Sequence, residues 1–60
     1  MKNGKRYLLK GWSGYLIEVV CLDQTDLAYK IHNVIQDYDE WLPKKQFEIF
    51  GDYQIYQEIS

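Results

Sequence analysis

Leu27-Ala28-Tyr29-Lys30-Ile31-His32-Asn33-Val34-Ile35-Gln36-Asp37-Tyr38-Asp39-Glu40-Trp41-Leu42 is the stretch on which the fold of this 60-residue chain turns. Its apolar residues Leu27, Ile31, Val34, Ile35, Tyr38, Trp41 and Leu42 fall at helical spacing. Thr25 or Asp26 stands where a helix would be capped, and Pro43 where it would stop. Against a helix stands the run from Ile31 to Ile35, whose residues are weak helix formers. The competing reading makes two strands, Leu27–His32 and Tyr38–Leu42, joined by a hairpin turn near Ile35–Asp37. Pattern alone slightly favours the helix and leaves both readings open.

The flanks read more plainly as β-structure. Gly4 precedes Arg6-Tyr7-Leu8-Leu9-Lys10, which suits a short strand. Gly11-Trp12-Ser13-Gly14 is a turn, with glycines free to take positive φ. Tyr15 to Leu22 is rich in aromatic and β-branched residues and is the best strand of the chain. Ile17, Val19 and Cys21 share one of its faces, and Leu16, Glu18 and Val20 the other. Asp23-Gln24-Thr25-Asp26 is a second turn. After Leu42, Pro43-Lys44-Lys45-Gln46 reads as a tight turn, Phe47–Phe50 as a short strand and Gly51-Asp52 as another turn. Tyr53, Ile55, Tyr56 and Ile59 then suggest a closing strand.

Size and composition restrict what such a chain can do. A domain this small buries only about 60% of the surface its unfolded form exposes, so its stability is a few kcal/mol at most. Six Tyr, two Trp and two Phe supply the large buried areas that argue for a folded domain rather than a disordered tail. Cys21 is the single cysteine, which leaves neither an intramolecular disulfide nor a thiolate-built metal site. The longest apolar run, Tyr15 to Leu22, is broken by Glu18 and too short to cross a bilayer. No apolar signal-peptide core follows the basic start Met1 to Arg6. These features point to the cytoplasm. The net charge of −2 is unevenly spread: four cations against one carboxylate before Asp23, and three lysines against eight carboxylates from there on. A dedicated nucleic-acid binder is usually basic overall, so the total charge argues against that role while the basic N-terminal third keeps it open.

Trp41-Leu42-Pro43-Lys44-Lys45-Gln46-Phe47-Glu48-Ile49 resembles the end of an SH3-type barrel. Such domains carry there an aromatic, a buried aliphatic, a proline, one 3₁₀ turn and a buried residue opening the last core strand. Leu42 and Phe47 match the two buried positions, and Trp41 and Pro43 the exposed ones. Upstream, Gly11-Trp12-Ser13-Gly14 and Ala28-Tyr29-Lys30-Ile31 resemble small SH3-like barrel proteins of bacteria and bacteriophages. The resemblance spans most of residues 4–50. It implies an all-β fold, a single five-stranded SH3-like barrel with a short 3₁₀ turn, and tips Leu27–Leu42 toward two strands. The alternative is an α+β fold with a helix at about 27–42. The chain departs from peptide-binding SH3 domains in two places. It has no Ala-Leu-Tyr-Asp-Tyr run, and Gln46 stands where they place a tyrosine. Two walls of a polyproline groove are therefore absent, and that ligand does not carry over.

Catalytic chemistry has little to work with. Cys21 lies inside an apolar strand, where an inert thiol is expected, and Ser13 is a turn residue. His32 is the only histidine, and with Asp37 and Asp39 it reads as surface rather than as a metal site. Neither an enzyme, nor a cofactor, nor a metal is expected. The expected role is a non-catalytic protein-interaction module, phage- or prophage-derived if the resemblance holds, modulating a host protein. Its contact residues would be Trp12, Tyr15, Tyr38, Trp41 and Pro43, rimmed by Asp37, Asp39 and Glu40, facing a basic partner surface. The alternative is RNA or single-stranded DNA binding, with Lys5, Arg6 and Lys10 on phosphates and Tyr7 and Trp12 stacking bases. Homodimerisation through a strand edge is compatible with either role.

Overall fold

The hairpin reading of Leu27–Leu42 is the one the structure adopts. A computed structural model describes residues 1–59 and contains five strands and one 3₁₀ turn. These are β1 (Arg6–Gly11), β2 (Leu16–Gln24), β3 (Ala28–Asn33), β4 (Tyr38–Pro43), a 3₁₀ turn (Lys44–Phe47) and β5 (Tyr53–Glu58). Local chemistry at the hairpin explains why the helical alternative does not form. The Asn33 side-chain oxygen accepts from the backbone N–H groups of Ile35 (3.1 Å) and Gln36 (2.9 Å), turning the chain where a helix would continue. Asp37 takes φ 58°, a left-handed conformation that aspartate tolerates and a helix forbids. Thr25 does act as a cap, accepting from Leu27 and Ala28, but it closes the turn into β3.

All five strands belong to one open antiparallel sheet in the order β4-β3-β2-β1-β5. Alternation sorts the residues by face. Tyr7 and Leu9 of β1, Val19 and Cys21 of β2, Ile31 of β3 and Leu42 of β4 form the buried core. The assignment of Ile17, Val19 and Cys21 to one face therefore holds, with Ile17 partly buried against that core. Two irregularities interrupt the ladders, one between Cys21 and Asp23 and one between Leu8 and Leu9.

β4 and β5 are the two sheet edges, and aromatic packing through the 3₁₀ turn links β3 to β5. The 3₁₀ turn lies against β3, β4 and β5. Phe47 meets Tyr29 of β3 edge-on at 5.3 Å and stacks on Tyr53 of β5 at 5.8 Å. This corrects the expected strand Phe47–Phe50. Phe47 ends the 3₁₀ turn, and residues 48–52 form a turn into β5. Gly51 explains the path: a Cβ there would lie 2.0 Å from the Gln46 carbonyl oxygen, so only glycine permits this backbone approach.

Candidate functional site

One end of the sheet gathers exposed aromatic side chains from three connections. It comprises the β1–β2 turn, the β3–β4 hairpin and the turn at 48–52. Gly14, at φ 93°, supplies the left-handed residue that the first turn needs. Its amide donates to the Gly11 carbonyl at 2.9 Å, and the Gly11 amide donates to the Tyr15 carbonyl at 2.8 Å. So tight a loop cannot bury an indole, and Trp12 is 79% exposed. Across from it the 48–52 turn projects Ile49 and Phe50, 90% and 96% exposed. Between these loops lies an open groove of about 370 Å³. Trp12, Phe47 and Tyr53 give it three aromatic rings, while Glu48, Asp52 and Lys10 give it charge.

Tyr53 also joins a second cluster on the core-facing side. Its neighbours there are Tyr15, Tyr38 and Glu40. Gly11 makes room for the cluster, since a Cβ at that position would fall 2.3 Å from the Tyr15 ring. The Glu40 carboxylate is the main influence raising the Tyr38 phenol above the ordinary tyrosine value. Burial is the first cause of the same rise at Tyr53, followed by the neighbouring Tyr15. With both values raised, the Tyr38 and Tyr53 hydroxyls stay protonated at neutral pH and can donate hydrogen bonds.

The five residues expected to contact a protein partner fall in separate places. Trp12 lines the groove, and Tyr15 and Tyr38 stand beside Tyr53 in the adjoining cluster. Trp41 does not join them. It sits opposite Lys30 on the other face of the sheet, as its alternation with buried Leu42 requires. Pro43 lies on β4 next to Leu27 and Lys44, in a second, smaller depression. The acidic rim is divided in the same way. Asp37 and Asp39 flank the His32 ring, at 3.3 Å from Nε2 and 2.7 Å from Nδ1, while Glu40 turns toward the tyrosines.

The five residues expected to bind nucleic acid are more dispersed. Arg6 is held by Glu18 at 3.2 Å, and Lys5 is exposed at the far end of β1. Tyr7 requires a correction. Its ring is 4% exposed in the core and its hydroxyl accepts from the Lys2 amide at 2.7 Å, so it has no face to offer a base. Lys10 and Trp12 share the groove, but the Lys10 ammonium lies over the Tyr56 ring, 5.8 Å from its centroid.

Sequence reasoning missed Phe47, Glu48, Asp52 and Tyr53 as groove residues, and Ile49 and Phe50 as its exposed shoulder. A signal was available. Ile49 and Phe50 are adjacent apolar residues running directly into Gly51, and a strand can bury only one of two neighbours. Cys21, by contrast, behaves as expected of a core thiol: it is shielded from solvent, and burial pushes its pKa up despite the nearby N-terminal ammonium.

Among the described residues no group of three His, Cys, Asp or Glu side chains could hold a metal ion, and no helix is long and apolar enough to cross a membrane. No family model matches the chain, and no curated protein or solved structure matches it.

Proposed function

We propose that this chain is a non-catalytic protein-interaction module whose binding end is the aromatic groove between the β1–β2 turn and the turn at 48–52. The observation that carries the reading is the exposure of Trp12 and Ile49 on one groove, with Phe50 exposed in the same turn as Ile49. Three large apolar side chains held in water by tight turns contribute nothing to the core. Clustered apolar exposure of this kind marks a contact surface. The partner is a protein rather than nucleic acid, because Tyr7 is buried, Arg6 is engaged by Glu18, and Glu48 and Asp52 repel phosphate from the groove.

The meander order, with a 3₁₀ turn between β4 and β5 and buried Leu42 ahead of it, supports an SH3-like barrel of the kind found in small bacterial and phage proteins. The reading extends, on that likeness alone, to modulation of a host protein.

A photo-reactive phenylalanine analogue in place of Phe50 tests the reading in cells. The expected result is a discrete protein adduct that survives nuclease and is missing when the analogue replaces Leu27, which is also largely exposed but lies at the β2–β3 turn. Adducts lost on nuclease treatment, or identical adducts at both positions, would contradict it.

A further inference from the structure

We infer that the groove accepts a cationic side chain, an arginine guanidinium or a lysine ammonium, presented by a basic segment of the partner. This rests on the protein-binding reading above and adds the chemistry of recognition. Phe47 and Tyr53, stacked on each other with planes inclined by 29°, line the groove together with the Trp12 indole, which is largely exposed to solvent. Cations are drawn to such faces, to tryptophan most strongly. Two carboxylates, Glu48 and Asp52, stand at the groove against a single cation, Lys10, whose ammonium is directed over Tyr56. The groove therefore presents unbalanced negative charge next to aromatic faces, the combination that a guanidinium satisfies by stacking and by charge-assisted hydrogen bonds at once.

The same contact recurs inside the chain. Lys44 lies 4.9 Å from the centroid of the Tyr29 ring, as Lys10 lies over Tyr56. At about 370 Å³ the groove is near the lower end of ligand sites, roughly 300–1,000 Å³, a size for one long side chain rather than a folded surface. An aliphatic side chain would leave both carboxylates unused. A nucleic-acid base would bring its phosphate toward them.

The test is a titration of isotope-labelled protein with the capped tripeptide Gly-Arg-Gly, followed at the Trp12 indole N–H resonance with Trp41 as internal reference. The neutral citrulline tripeptide is the matched control. The arginine peptide should shift Trp12 and leave Trp41 still, and the citrulline peptide should do neither. The double variant Glu48→Gln, Asp52→Asn, which alters only exposed side chains, should weaken arginine binding by about three- to tenfold. Equal shifts from both peptides, shifts confined to resonances away from Trp12, or no shift up to the solubility limit would overturn the inference. The two readings fail separately. Protein adducts at Phe50 with a flat titration would leave the binding end standing and remove the cation. A titrating groove without protein adducts would do the reverse.

Discussion

The two tryptophans occupy opposite situations, and the contrast separates what folds this chain from what it offers to a partner. Trp41 sits in a regular strand, half-exposed, paired across the ladder with Lys30 and alternating with core Leu42. Trp12 sits in a glycine-bounded turn with almost no neighbours to cover it. The same division runs through the molecule. Every fully buried large side chain, Leu9, Val19, Cys21 and Ile31, comes from β1, β2 or β3. β5 contributes no buried residue, and the segment before it carries Ile49 and Phe50 into solvent. The central meander holds the fold, while the C-terminal third provides an aromatic, acidic surface attached to it.

The largest expected effect sharpens that division between strands. Ile31→Ala removes a fully buried side chain and should lose about 2–5 kcal/mol, comparable to the whole stability of a domain this size. Ile55→Ala, on the exposed β5, should lose well under half as much. Chemical denaturation of the two variants checks the ordering, and equal losses would mean that β5 shares the core.

Gly51→Ala comes next, because its Cβ would overlap the Gln46 carbonyl, a backbone atom that cannot step aside. The 48–52 turn must move, so thermal stability should drop by several degrees and the groove should lose its shape. Gly11→Ala is milder: the clash is with the outer atoms of the Tyr15 ring, which can swing away. A smaller melting change with altered Tyr15 resonances is the expected outcome there.

Alkaline pH probes the tyrosine cluster. The folded state holds Tyr38 and Tyr53 above the ordinary value of about 10. As pH rises past that value the unfolded chain loses these protons before the folded one does. Stability should therefore be level below about pH 9 and fall as pH climbs through the folded-state values. Glu40→Gln removes the main influence on Tyr38 and should shallow the decline, as read from melts across the alkaline range.

The smallest effects belong to the tryptophans themselves. Trp12→Ala should change stability by no more than about 0.5 kcal/mol, as for surface substitutions generally. Trp41→Ala should lose somewhat more, through the part of its ring that rests on the sheet.

How far the sequence discloses this arrangement depends on the range of the interactions involved. Strands β1 and β2 and the inward set Ile17, Val19 and Cys21 are legible because period-two alternation is local. The hairpin at 34–37 is not settled by periodicity, since its apolar residues match a helix as well. What decides it is the Asn33 side chain capping its own turn and Asp37 crossing to positive φ. The exposure of Trp12 follows from its glycine neighbours. The separation of Trp12 from Trp41, and of Pro43 from both, is a tertiary fact set by register and sheet order. The groove partners Phe47 and Tyr53 are brought beside Trp12 only by the β1–β5 pairing, in which Gly11 opposes Tyr53, and no short-range pattern reports that pairing.

The most direct measurement compares the double variant Trp12→Ala, Phe50→Ser with the native chain, reading the melting temperature and the retention of the partner identified by cross-linking at Phe50. A binding end separable from the core predicts a melting temperature changed by only about 1–3 °C together with loss of the partner. A collapsed melt, or an unchanged melt with the partner still retained, would contradict it.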